Sequence, residues 1–164
     1  HGVLKGWIGA VKFEKPVTIP ASTTIEATFL PTDYAQLQRQ RFRLWWPNGY
    51  GEPYLYDAGY IFEAHDGDSQ PLYYKAGIRQ MSYKDADTRL TLYINGKRFI
   101  PLGGNWGFSE SNLNYRAREY DAAVKYHRNM NCNMIRNWVG QTGNDEFYEL
   151  RHHGMERFLV GKPL

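Results

Sequence analysis

The sequence predicts a two-part chain: an antiparallel β-sandwich followed by an α/β half built on parallel strands. Three observations predict it. Short alternating strands recur between turn signals as far as Asp85. An Asn-Gly pair at Asn95-Gly96 sits between two apolar runs, and a β-α-β-α order follows it. An all-β half over residues 1–85 and an α/β half over 86–164 make two domains.

In the first half, Val3–Phe13 carries alternating apolar residues and reads as a strand. Pro16 to Pro20 then marks a turn. Thr24–Phe29 has period-2 alternation and reads as the next strand, broken by Pro31, Thr32 and Asp33. Phe42–Trp46 leads into the turn-rich Pro47–Gly51, where Gly49 and Gly51 relieve the backbone. One of Trp45 and Trp46 is expected in a core, the other over the turn or the interface with the second half. Further strands are expected around Tyr54–Ala64 and Leu72–Tyr83, separated by the polar turn His65–Ser69.

In the second half, Leu90–Ile94 and Lys97–Ile100 flank Asn95-Gly96, which suits the positive φ angles of a type I′ turn. The apolar, then glycine-rich, run Ile100–Gly107 is the first parallel strand. Ala117, Tyr120, Val124 and His127 fall on one face of a helix, with Asp121 and Lys125 an exposed i,i+4 pair. Asn133–Gly140 is the second strand. A second helix begins at the N-cap Asn144, with Asp145 and Glu146 in its first turn, and ends at Gly154.

Composition narrows the function. With 13 Tyr, 8 Phe and 5 Trp, aromatic residues make up 16% of the chain, which suits sugar rings, nucleobases or peptide surfaces as well as sheet packing. The net charge is +3 and the basic residues are scattered, so no nucleic-acid partner is expected. No run of about 18 apolar residues occurs, so no membrane span is expected. Cys132 is the sole cysteine and has no partner for an internal disulfide. No His/Cys cluster has metal-ligand spacing, and the adjacent His152 and His153 suit a helix end better than a metal. Neither a metal nor another cofactor is expected. The chain does not begin with Met and shows no signal peptide, so position 1 is expected to lie inside a longer protein.

At Leu44–Tyr56 the sequence resembles the central immunoglobulin-like domain of family 2 glycoside hydrolases. The resemblance continues through Gly77-Ile78-Arg79, Ile94–Lys97, Gly103–Trp106, Met134–Trp138 and Asp145–Tyr148, covering roughly residues 40 to 155. Gly103–Gly107 with Met134–Gln141 is most similar to the exo-β-glucosaminidase and β-mannosidase branch. The β-galactosidase branch has a His-containing motif where Trp106 stands. The resemblance implies an immunoglobulin-like β-sandwich joined to the first β-α-β-α units of a (β/α)8 TIM barrel of about 250 residues, behind a sugar-binding jelly roll. It implies a retaining enzyme acting on a β-linked hexoside or hexosaminide, with an oligosaccharide or other glycoside as partner. Two glutamates about 5–5.5 Å apart would be acid/base and nucleophile. Both belong to later barrel strands, so no catalytic residue is expected within these 164 residues, and this stretch alone is expected to be inactive.

The implied pocket residues are Asn105, Trp106, Arg136, Asn137 and Trp138, at the carboxyl ends of the first two barrel strands. The family's arginine at position 136 lies beside the nucleophile, where it holds the carboxylate ionised and oriented; the other reading is a structural ion pair. Trp106 and Trp138 either stack on sugar C–H faces or fill a core. Asn105 and Asn137 either meet sugar hydroxyls or satisfy backbone groups. Glu110 is either a rim contact or a solvated loop carboxylate.

Residues 156–164 depart from the family's apolar third strand. One choice of codons for Phe158–Leu164, read one base later, spells the family pattern, so a frameshift is expected; coincidence through codon degeneracy is the alternative. An incomplete sandwich and barrel expose sheet edges, so self-association is expected. The competing function classes are a non-catalytic carbohydrate-binding or adhesion module and a purely structural interaction fragment. The first leaves the β-α-β-α half unexplained.

Overall fold

The computed structural model describes residues 1–38, 41–65, 67, 69–106, 117–137 and 156–158, and most of their regular structure is β-sheet. The chain forms two compact units that interleave in sequence. One comprises His1–Arg43 and Leu55–Ala76, the other Leu44–Tyr54 and Gly77–Leu164.

In the first unit, β1 (Gly2–Ile8) and β2 (Val11–Val17) form an antiparallel hairpin. The single strand expected over Val3–Phe13 is thus two, because Gly9 turns the chain at φ 57° and donates its N–H to Asp57 O at 2.8 Å. Pro16, expected in a turn, lies inside β2. It is tolerated because β2 is an edge strand, where a missing N–H leaves no ladder bond unmade. After the short α1 (Ala35–Gln38), β3 (Tyr56–Ala64) pairs with β1, and β4 (Pro71–Ala76) pairs with β3. The sheet order is β2-β1-β3-β4, antiparallel throughout, which fits the expected sandwich half.

Thr24–Phe29, expected as a strand, forms none. Alternation selects a face, but a strand also needs a ladder partner. Two outer carbonyls of the neighbouring edge are taken by side chains: Tyr34 Oη donates to Glu14 O at 3.2 Å and Gln36 Nε2 to Lys12 O at 3.1 Å. Phe29 instead packs its ring against Phe13 and Tyr34, at centroid distances of 4.7 and 5.4 Å.

The single strand expected over Leu72–Tyr83 also divides. Its first part is β4; its second, β5 (Met81–Lys84), belongs to the other unit. There β5 pairs with β6 (Thr91–Ile94), and β6 with β7 (Lys97–Phe99), both antiparallel. The β6–β7 turn has φ 51° at Asn95 and 77° at Gly96, the left-handed values expected of that pair. Leu92, Ile94 and Phe99 form the core of this sheet, with Trp46, Tyr50 and Met134 packed against it. Trp45 is buried, and its N–H donates to Ile78 O at 2.8 Å. Trp46 covers the β6–β7 cluster and bears on the backbone at Gly51, where a Cβ would lie 2.8 Å from its Cγ.

The remaining elements of the second unit are β8 (Gly103–Trp106), α2 (Ala117–Asn129), β9 (Met134–Asn137) and β10 (Glu156–Phe158). Strands β8, β9 and β10 form a parallel sheet with β9 at its centre. Along α2, Tyr120 and Val124 are buried and His127 is half-buried, the face that the 3–4 spacing predicts. The helix expected from Asn144 lies outside the described residues.

Candidate functional site at the carboxyl ends of the parallel strands

Parallel pairing brings like ends of strands together, so residues at the carboxyl ends of β8 and β9 meet at one rim. The register opposes Gly103 to Met134, Gly104 to Ile135, Asn105 to Arg136 and Trp106 to Asn137. Alternation puts Arg136 and Met134 on one face of β9 and Ile135, which is buried, on the other. Met134 reaches the hydrophobic cluster of the β6–β7 hairpin. The packing of Met134 therefore fixes the side of the sheet on which the Arg136 guanidinium stands.

Arg136 Nη1 donates to Asn105 Oδ1 at 2.8 Å. A guanidinium has five N–H donors in a planar fork, and this bond sets the plane of the fork while using one of them. Among the described residues no carboxylate lies within ion-pair distance of Arg136. On the opposite side of Arg136, the register places Phe158 of β10. Trp106 and Asn137 are located here by backbone register alone. Trp138 and Glu110 lie outside the described residues. Two of the expected pocket residues, Asn105 and Arg136, are thus joined directly by their side chains.

Three asparagines that the sequence did not single out act at the opposite end of these strands, where α2 leads into β9. Asn133 is buried; its Oδ1 accepts from Leu102 N–H at 2.8 Å and its Nδ2 donates to Ile100 O at 3.1 Å. Asn48 donates from Nδ2 to Arg128 O at 3.1 Å and to Cys132 O at 3.0 Å, meeting carbonyls that the end of α2 leaves open. Asn131 takes φ 61° at that same helix end, and Cys132 N–H returns to His127 O at 2.9 Å. The signal available in the sequence was the position of Asn48 in a turn and of Asn131 and Asn133 between helix and strand, where short amides bond backbone groups.

Among the described residues, no group of three or more His, Cys, Asp or Glu is placed to hold a metal ion. No helix among them is long and apolar enough to cross a membrane.

No family model matches the chain. It is 35% identical over 136 residues to the mannosylglycoprotein endo-β-mannosidase of Lilium longiflorum, covering 80% of this chain and 14% of that protein. It is 28% identical over 148 residues to the exo-β-D-glucosaminidase of Streptomyces avermitilis, covering 90% of this chain and 16% of the relative. Its sequence relatives are therefore glycoside hydrolases, and the chain spans about a seventh of their length. Among solved structures, the exo-chitosanase CsxA of Amycolatopsis orientalis is similar, with a TM-score of 0.80 at 21% identity over 96% of this chain and 18% of that one. A β-glucuronidase of Parabacteroides merdae follows the same fold at a TM-score of 0.67 and 14% identity, over 95% of this chain and 19% of that one.

Proposed function

We propose that this chain is part of a retaining family 2 glycoside hydrolase of the exo-β-glucosaminidase and β-mannosidase branch, acting on a β-linked hexosaminide or hexoside. In this reading residues 1–85 are the immunoglobulin-like sandwich and 86–164 begin the (β/α)8 barrel. The observation that carries it is the Arg136–Asn105 pair at the carboxyl ends of adjacent parallel strands, where barrel enzymes build their active sites. The kinship of the chain to glycoside hydrolases supports the same reading.

The chemistry follows from the charge. A retaining hydrolase needs a nucleophilic carboxylate that stays ionised and an acid that protonates the leaving oxygen, about 5–5.5 Å apart. A guanidinium beside the nucleophile lowers its proton affinity and aligns its two oxygens through paired N–H donors. Asn105 fixes the rotamer of Arg136, leaving the other edge of the fork for the carboxylate and the sugar. Trp106 and Asn137, which the register places at the same strand ends, and Trp138, next to Asn137 in sequence, are the further pocket candidates, and the two glutamates are supplied by barrel strands beyond those described. These 164 residues alone are inactive.

Expression of the complete reading frame, assayed on chromogenic β-glucosaminide, β-mannoside and β-galactoside, tests this. Hydrolysis of one of the first two is expected, with net retention at the anomeric carbon. A folded, complete protein that cleaves none of the three overturns the proposal.

A further inference from the structure

The first unit carries a second feature, remote in sequence from the Arg136 rim. Register places Trp7 of β1, Gly59 of β3 and Tyr73 of β4 in one row across the sheet. A Cβ at Gly59 would lie 2.3 Å from Trp7 Cζ2. The indole therefore passes over the bare glycine and reaches Tyr73, with ring centroids 5.4 Å apart and planes at 58°. Tyr73 is 72% exposed. A tryptophan over a glycine, beside an exposed tyrosine, makes an apolar platform of two rings tilted toward one another.

The surroundings of the platform are polar. Lys12 is opposite Trp7 in the hairpin register, and Lys5 is opposite both Glu14 and Ile61. Lys5 Nζ bonds Glu63 Oε2 at 2.6 Å, and Lys12 and Glu14 are exposed. Lys5, Trp7, Lys12, Glu14, Ile61 and Tyr73 line a groove of about 720 Å³, a size within the usual range of small-molecule sites.

We infer that this groove in the first unit is a saccharide-binding site, which takes one to a few β-linked neutral or amino-sugar pyranose units. A pyranose ring offers a flat array of C–H groups to an aromatic face and a girdle of hydroxyls to charged and amide groups. The two lysines, Lys5 and Lys12, are balanced by the carboxylates of Glu14 and Glu63, so a polyanion gains no net attraction. A peptide strand would pair with the backbone at a sheet edge rather than lie across its face. The choice of a sugar over other flat ligands rests on the glycosidase reading; the position and the platform do not.

The test is binding without turnover. The chain is titrated with chitosan hexamer and with β-1,4-mannohexaose by calorimetry, with Tyr73→Ala, Lys12→Ala and Arg136→Ala alongside, each checked for native circular dichroism. Tyr73 and Lys12 are exposed, so their removal leaves the sheet intact. Wild type and Arg136→Ala are expected to bind one of the oligomers equally. Tyr73→Ala is expected to bind about tenfold more weakly, the loss of one stacking partner. Lys12→Ala gives a smaller loss. No heat of binding to either oligomer with wild type, or equal affinity in Tyr73→Ala, overturns the inference. So does binding that disappears in Arg136→Ala and survives in Tyr73→Ala. Failure of the full-length hydrolysis assay leaves this titration readable, so the two proposals fail separately.

Discussion

Asn133 and Leu102 hold each other through two hydrogen bonds: Leu102 N–H donates to Asn133 Oδ1 at 2.8 Å, and Asn133 N–H donates to Leu102 O at 2.8 Å. Leu102 precedes β8 and Asn133 precedes β9, so this clasp sets the two parallel strands level before their ladder begins. The amide also donates to Ile100 O, and at 2% exposure water has no access to replace it.

Replacing Asn133 by Leu therefore leaves the Leu102 N–H and the Ile100 carbonyl without their buried partner. The expected cost is about 2–4 kcal/mol, the desolvation of two backbone groups. Urea unfolding followed by tryptophan fluorescence measures it, and a loss under half a unit would show that the clasp is dispensable.

Adjacent glycines in β8 should respond oppositely to alanine. A Cβ at Gly103 would lie 1.9 Å from Met134 O, in the backbone of the paired strand, whereas at Gly104 no atom lies within 4 Å. Gly103→Ala must push β8 off β9 and is expected to cost about 3 kcal/mol or to prevent folding. Gly104→Ala is expected within about 0.5 kcal/mol of wild type. Thermal melts of the two variants side by side decide the point.

Asn105 is expected to act on catalysis through Arg136. Under the proposed function, Asn105→Ala in the complete protein is expected to free the guanidinium to rotate and to lower kcat by about 10–100-fold with KM changed less, as misorientation of a charged group does. Arg136→Lys loses the planar fork altogether and falls further. Equal kcat in Asn105→Ala and wild type would leave their 2.8 Å bond without a catalytic role.

Strand β4 ends its sheet among the described residues, and it presents Leu72 and Tyr74 beside Tyr60 of β3 on one face, each 45–49% exposed. An open edge next to exposed apolar groups favours association. The chain is expected to sediment as dimers or larger species. Leu72→Lys is expected to shift it toward monomer. Sedimentation velocity that gives a monomer for both proteins contradicts this.

The Lys5 ammonium is held above the ordinary lysine range by its hydrogen bond to Glu63, with the charges of Glu63 and Glu14 adding to the effect. A pKa raised by folding means that the contribution is complete at neutral pH and is lost as pH rises through the folded-state value, above 10.5. The pair is partly exposed, so the effect is small and weakens with salt. A Lys5→Met variant should show a flatter stability profile between pH 9 and 12 than wild type, measured by urea midpoints at low ionic strength.

Much of this arrangement is legible in short stretches. The spacing of Tyr120, Val124 and His127 gives the buried face of α2, because a helix repeats every 3.6 residues whatever lies beyond it. Asn95-Gly96 gives its turn for an equally local reason, the low cost of positive φ at those residues. Thr24–Phe29 misleads because its alternation is local whereas a ladder is not. Leu72–Tyr83 misleads because period 2 continues across a change of sheet. The site divides the same way. Arg136 and Asn105 stand out by motif, while Asn48 and Asn133 do not, since their partners are backbone groups far along the chain.

The sequence by itself determined α2, the Asn95-Gly96 hairpin and the positions of β8 and β9, the charge balance, and the candidates for the pocket. Those properties depend on backbone dihedral preferences and on periodicity within about a dozen residues. Only the tertiary structure decided that Leu44–Tyr54 packs with the β6–β7 hairpin rather than with the strands flanking it in sequence. It alone set Arg136 opposite Asn105, and laid Trp7 across Gly59. The physical reason is common to all three: strand register and core packing are settled by partners more than 30 residues away, and no local propensity carries that information.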